Sequence, residues 1–466
     1  MPDDPNPISG NPPNKIEKSQ KNSSFTVHHQ VHQVNLGLLV NIALWFAFFS
    51  PLSAKFQIEN AFALPYIGVN ALCCYGGLGI FALGSIPVHY FFWTEPEKRI
   101  MKSEQSLIWT TWIAVVGASI KLFSYINHNE NGVFGAYAAG HLLICLSICI
   151  HTNVTILVTK FIWRDTFALL DCFGAISIGL VLSTIITHFV YVDTDKFFTK
   201  VESAQTKNFG IMVSQLVIFV ILAIYNLFKK MCRQDSEHLE DETVSTDESR
   251  PPIRAWAKLG RAQPFAILFS TFFFLYLKLP QFASLFWFTQ NQGEIFLAFF
   301  SFGFLLGSQN LNFVAISLIK SYRIVQAVLL LTFIAFIGAL DGTAQKSDLY
   351  LLCCFAAFIG AALAVLISLE LFQLDRDFDS GSVPVALTLS GLYSSGLCAL
   401  GDKTHYMNRD DPTWSYIDVG LSAVFVSLAC LFTLSWFKRG CRCCSCCCRC
   451  CLRCCGRMDE DDEQEN

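Results

Sequence analysis

The sequence predicts an all-α, polytopic membrane protein with about twelve transmembrane helices in two six-helix halves, and three observations lead there. Apolar runs near 20 residues recur along most of the chain, the length a helix needs to cross a hydrocarbon core about 30 Å thick. Charged residues are only 15% of the 466, hydrophobic residues are 53%, and mean hydropathy is +0.45; a soluble domain carries about 25% charge. The long polar run at 229–261 falls near the middle and leaves apolar blocks of similar length on either side. Buried helices of a large soluble protein would keep polar faces, and most of these segments have none.

Taken in order, residues 1–35 are polar, rich in proline and without an apolar core, so they read as a disordered cytosolic tail and not as a cleaved leader. The first half, 36–228, holds spans at 36–54, 66–92, 106–126, 133–158, 166–191 and 208–228. A cytosolic linker follows at 229–262, acidic and Ser/Thr-rich at first, then basic and amphipathic around Trp256 and Leu259. The second half, 263–437, holds spans at 264–288, 294–318, 324–341, 349–372, 383–400 and 415–437. The stretch 383–400 is short and rich in serine and glycine; without it the spans would number eleven. Residues 438–466 form a tail that is first Cys-rich, then acidic.

With both termini cytosolic, the inside segments carry 24 of the 33 Lys and Arg and the outside loops carry 7. This agrees with the positive-inside rule. A weak internal repeat appears when Pro51 is set against Pro280, which places a helix-kinking proline in the first span of each half. The first cytosolic loop of each half is also basic, at Lys98 and Arg99 and at Lys320 and Arg323. Gly303/Gly307, Ala175/Gly179 and Ala136/Gly140 are four apart and suit close helix packing. Gly76, Gly77, Gly79 and Gly84 make the second span unusually flexible.

This layout resembles the major facilitator superfamily, which has six plus six spans, internal termini and a long cytosolic linker. Where that family carries a Gly-x-x-x-Asp-x-x-Gly-Arg-Arg loop, Trp93 to Arg99 retain only the basic pair Lys98-Arg99, so no functional residue is carried over. A second stretch, Ser390-Gly391-Leu392-Tyr393-Ser394-Ser395, is similar to equilibrative nucleoside transporters. That resemblance would imply eleven spans and an external carboxyl terminus.

Ionisable groups inside a bilayer cost about 2.5–3.5 kcal/mol each on insertion scales, so each needs a reason. Lys278, placed near the middle of the seventh span and two residues before Pro280, is read as a cavity cation for an anionic solute or as the partner of a carboxylate. Lys121, near the end of the third span, is read as snorkelling to the interface. Gln309, Asn310 and Asn312 in the eighth span, with Asn41 in the first, offer amides that donate and accept hydrogen bonds to a polar solute or to other helices. His141, His188 and Asp171 are candidate proton carriers, each with a plain alternative as a helix contact or an interfacial group. The Asn-x-Ser/Thr patterns at Asn22 and Asn153 fall on the cytosolic side and within a span, where glycosylation is not expected.

Ten of the 20 cysteines lie in the tail: Cys441, Cys443, Cys444, Cys446, Cys447, Cys448, Cys450, Cys451, Cys454 and Cys455. Set among arginines beside the last span, they suit S-palmitoylation; the Cys-x-x-Cys spacings leave metal binding as a rival. Nine others lie in spans as small apolar residues. The sequence has no phosphate loop, His-Glu-x-x-His motif or nucleophile elbow, so no enzyme, cofactor, metal or nucleic-acid role is expected. The reading is a multi-pass secondary transporter in a plasma or organelle membrane, moving a small polar or anionic solute by alternating access, with a coupling proton as an added partner. The alternative is a non-transporting scaffold or receptor-like protein with a lipidated tail, in which Lys278 would be buried against a carboxylate or face lipid, with no cavity between the halves.

Overall fold

The computed structural model describes residues 37–63, 68–93, 99–127, 133–161, 168–191, 201–234, 259–285, 290–309, 311–342, 349–376, 382–408 and 412–440. All regular structure among them is helical. The first half contains α1 (Gly37–Ser53), α2 (Leu78–Trp93), α3 (Arg99–Ile126), α4 (Val133–Phe161), α5 (Ala168–Tyr191) and α6 (Val201–Gln234). The second contains α7 (Leu259–Leu285), α8 (Gln290–Gln309), α9 (Leu311–Gly342), α10 (Leu349–Arg376), α11 (Ser382–Asn408) and α12 (Pro412–Gly440). A short helix, Lys55–Ala61, follows α1. Gly68–Asn70 and the π-helical Ala71–Gly77 lead into α2, and π-helical turns are frequent at functional sites.

Seven described helices are long and apolar enough to cross a membrane, and four more are apolar over shorter stretches. The exception is α11, the short stretch rich in serine and glycine at 383–400. It continues eight residues beyond the expected end at 400, to Asn408, and brings Asp402 into the helix. It tolerates its serines and Asp402 because it packs between α2 and α7, with Ser390, Ser394 and Asp402 buried. Burial sorts the others: the apolar stretch of α7 is 83% buried and that of α6 only 28%. Thus α7 sits centrally, while α6 turns Val217, Ile221 and Phe228 outward, as a lipid-facing helix does.

The contacts repeat between halves. The pairs α2–α4, α3–α4 and α3–α6 recur as α8–α10, α9–α10 and α9–α12, and the cross-contact α2–α11 has its counterpart in α8–α5. Exchanging the halves maps each of these pairs onto its partner. Pro51 removes the donor that the Ala47 carbonyl would receive in a regular helix; the Ser50 hydroxyl donates to that carbonyl instead, at 3.3 Å.

Small residues set the tightest crossings. A Cβ on Gly303 would strike the Ala357 carbonyl, and one on Gly360 would strike the Phe300 carbonyl, so α8 and α10 meet backbone to backbone. The centre is aromatic. Phe49 stacks on Phe273 at 6.0 Å, Phe48 meets Phe273 edge-on at 6.2 Å, and Tyr276 lies 5.6 Å from Phe49. These rings join α1 to α7, one helix from each half.

Candidate functional site

Polar side chains gather at one end of this interface, where α1, α7 and α11 finish and α2 and α12 begin. Lys278 lies in the last third of α7, not near its middle, because α7 begins five residues earlier than expected and ends three residues earlier. Its ammonium donates to both oxygens of Asp418, at 2.9 and 2.7 Å, and to the Gly401 carbonyl at 2.9 Å. The Lys278 and Asp418 side chains are 1% and 2% exposed. An ammonium has three donors, and this pair and carbonyl offer acceptors for all of them. The desolvation cost of each charge is therefore met by an opposite charge, the condition under which a buried ion pair persists.

Asp402, six residues before the end of α11, links the halves. It accepts from the Asn70 amide at 2.6 Å and from the Tyr75 hydroxyl at 3.0 Å, both on the helical approach to α2. The Cys74 and Cys398 thiols face each other across the same contact. At the end of α1, the Ser53 hydroxyl shares hydrogen bonds with Ser183 of α5 at 2.8 Å and with Tyr276 of α7 at 3.1 Å. Glu59, in the short helix after α1, accepts from the Val69 amide at 3.3 Å and lies 3.9 Å from the Lys55 ammonium. A carboxylate there suits the positive end of the following helix. Burial nevertheless pushes the Glu59 carboxyl up to about 7, against the opposing pull of Lys55. Burial likewise holds the Lys55 ammonium below its ordinary value.

A second polar cluster lies inside the first half. Lys121 is 2% exposed, so it does not snorkel. It turns inward because it shares a buried stripe with Ala114, Ala118 and Tyr125, the spacing of one helix face. Its ammonium stands 5.5 Å over the Tyr137 ring. His141 is fully buried against Phe48 and 3.4 Å from the Cys73 thiol, and its Nδ1 has no hydrogen-bond partner among the described residues. His151, not singled out in the sequence, joins Thr110 at 3.3 Å to the Gly37 carbonyl at 3.1 Å and acts as a helix tie.

The remaining candidates are scattered. Asn41 is buried and accepts from Thr152 at 3.4 Å. The amide cluster does not occupy one helix face: Gln309 ends α8, Asn310 lies outside the described residues, and Asn312 is in the first turn of α9. The span expected at 294–318 thus falls partly in α8 and partly in α9. Gln309 is exposed and borders Gly174 of α5. Asp171 is half-buried in the first turn of α5, suited to the helix dipole. His188 lies in α5, its side chain outside the described residues, as are Cys441 to Cys455.

Asn153, within the second glycosylation pattern, is buried and donates to the Cys149 carbonyl at 2.8 Å. The nine span cysteines are free thiols, and all but Cys354 are buried. No group of three or more metal-ligating side chains occurs among the described residues. The sequence singled out Lys278, but not Asp418, Asp402, Asn70, Tyr75 or Glu59. The signal available was that Asp402 and Asp418 lie beside or within apolar runs, where each carboxylate needs a partner.

No family model and no curated protein sequence matches the chain. Solved structures do. The major facilitator proton:xylose symporter XylE is similar over 87% of this chain and 95% of its own, with 11% identity and a TM-score of 0.57. A bacterial homologue of the iron transporter ferroportin, in an outward-facing state, matches over 87% of this chain and 98% of its own, with 13% identity and a TM-score of 0.60. The major facilitator transporter FucP, in the outward conformation, covers 86% of this chain and 98% of its own at 14% identity and a TM-score of 0.51. The chain is an all-α polytopic membrane protein whose fold resembles that of the major facilitator superfamily.

Proposed function

We propose that the protein is a secondary transporter that carries a small polar or anionic solute between its two halves by alternating access. The observation that carries this reading is the placement of hydrogen-bonding and charged groups where the halves meet. Ser53 with Tyr276, and Asp402 with Asn70 and Tyr75, are broken and remade if the halves rock, whereas the helix pairs within each half stay intact. The likeness to transporters of sugars and metal ions supports the class and leaves the cargo open. Lys278 is the residue assigned to an anionic group on the solute; Asn41 and Gln309 are assigned polar contacts in other parts of the path. Asn310 and Asn312 remain solute-contact candidates by sequence. His141, His188 and Asp171 remain proton-carrier candidates on the same footing.

The alternative, a membrane scaffold, is favoured by two observations: the Phe48, Phe49 and Phe273 contacts are closely packed, and Lys278 is satisfied by Asp418. Flux separates the two readings. The purified protein in lipid vesicles is expected to take up at least one member of a panel of sugars, amino acids, nucleosides and organic and inorganic anions faster than protein-free vesicles do. Lys278→Ala is expected to lower that uptake. Equal flux with and without protein, for every solute, would leave the scaffold reading. The tail cysteines Cys441 to Cys455 are proposed as acylation sites on the adjoining leaflet, testable by hydroxylamine-sensitive acyl exchange.

A further inference from the structure

We infer that Lys278 and Asp418 form a proton–anion coupling site: Asp418 takes up a proton as Lys278 transfers its hydrogen bonds from that carboxylate to the anionic group of the solute. This rests on the transport reading above and names the solute class and the coupling.

The geometry imposes the order. Lys278 donates to both Asp418 oxygens and to the Gly401 carbonyl, so an arriving anion meets an ammonium already engaged. Its charge is also cancelled by a carboxylate 2.7 Å away. Placing an anion beside an intact pair would leave a net negative charge in a site where Lys278 and Asp418 are 1% and 2% exposed, which low-dielectric burial strongly disfavours. One proton on Asp418 removes that excess. The site then holds a neutral carboxylic acid, an ammonium and an anion, with the same net charge as the empty ion pair.

Proton and charge balance in both directions. On loading, one proton joins an Asp418 oxygen and the N–H donors of Lys278 move to the anion. On release, the anion departs, the proton leaves Asp418, and the ion pair re-forms. No covalent bond to the solute is made or broken.

The surroundings bear on which carboxylate carries the proton. Asp402 on α11 adds a nearby negative charge, but its oxygens are occupied by Asn70 and Tyr75 of the other half. Glu59 and Lys55, after α1, lie nearer to Asp402 and engage each other. Asp418 is thus the carboxylate that neutralises Lys278 directly, and its protonation is the event that frees the cation.

The test uses full-length protein in sealed vesicles and three labelled anions that cross plain bilayers slowly: isethionate, inorganic phosphate and gluconate. For a monovalent anion moving with one proton, accumulation is expected to rise about tenfold per unit of inward pH gradient, since one pH unit is a factor of ten in a proton equilibrium. An imposed membrane potential is expected to leave it unchanged, because the loaded site carries no added charge. Asp418→Glu keeps both properties. Asp418→Asn is expected to make transport indifferent to the pH gradient and responsive to potential, and Lys278→Met to abolish anion movement.

If Asp418→Asn does not fold, the wild-type measurement still decides. Accumulation without response to the pH gradient, or flux driven by potential, overturns the coupling while leaving transport intact. Absence of flux for all three anions removes the anion assignment and this inference with it; movement of a neutral solute in the wider panel would then preserve the transport reading alone.

Discussion

Breaking the Lys278–Asp418 pair from one side is expected to cost far more than removing it from both. The two side chains are 1% and 2% exposed and 2.7 Å apart, so either single change strands a charge or donor away from water. Removing one partner of a buried pair costs about 3–5 kcal/mol, while replacing both with groups of similar volume is close to neutral. Lys278→Met leaves the Asp418 carboxylate with its main cation gone. Asp418→Asn leaves the Lys278 ammonium with the Gly401 carbonyl, an amide oxygen and only the less direct charge of Asp402. Each is expected to lower the unfolding free energy by about 3–5 kcal/mol, and the double variant by less than either single. The assay is reversible unfolding in mixed micelles across the four proteins of the cycle. Single variants costing under about 1 kcal/mol, or a double variant equal to their sum, would refute the claim that the charges are buried and mutually dependent.

Four further outcomes follow from the geometry. Asp402→Leu removes the acceptor shared by Asn70 and Tyr75, and is expected to cost about 1–3 kcal/mol in the same unfolding assay, since it strands buried donors. Glu59 is protonated more readily in the folded protein than in the unfolded chain, with its carboxyl pushed up to about 7. Stability from this group is therefore full below the ordinary carboxylate range and falls as pH rises towards 7, by up to about 3 kcal/mol; Glu59→Gln is expected to flatten a thermal-unfolding profile between those limits. Gly303→Val drives a side chain into the Ala357 carbonyl, and is expected to separate α8 from α10 and lower stability by about 1–3 kcal/mol or more, measured by thermal unfolding. Lys121→Met removes a buried ammonium whose described compensation is the Tyr137 ring, and a gain of about 1–2 kcal/mol is expected after the lost cation–π contact.

Much of the architecture was legible because bilayer thickness and the avoidance of buried charge act on every span alike. Gly37–Ser53, Val133–Phe161 and Leu349–Arg376 lie close to the apolar runs that announced them. Apolar length alone misjudged α11, because its serines and Asp402 face protein, and protein tolerates polar groups that lipid does not. It also ran one span, 294–318, across the end of α8 and the start of α9. Lys278 stood out because it was charged in an apolar run. Its partner Asp418 is 140 residues away, and no periodicity within one helix reports such a pairing. Lys121 differs: its place near the end of α3 suggests an interfacial side chain, whereas the stripe it shares with Ala114, Ala118 and Tyr125 turns it inward.

The central claim is that the halves move against each other at the contact between α2 and α11. Cys74 and Cys398 face each other across it, so the native thiols offer a direct test: uptake of isethionate, phosphate and gluconate before and after oxidation, with formation of the Cys74–Cys398 cross-link verified by peptide mass spectrometry. The account requires uptake to stop when that cross-link forms, to return on reduction, and to persist in oxidised Cys398→Ser. Undiminished uptake by protein carrying the verified cross-link would contradict it.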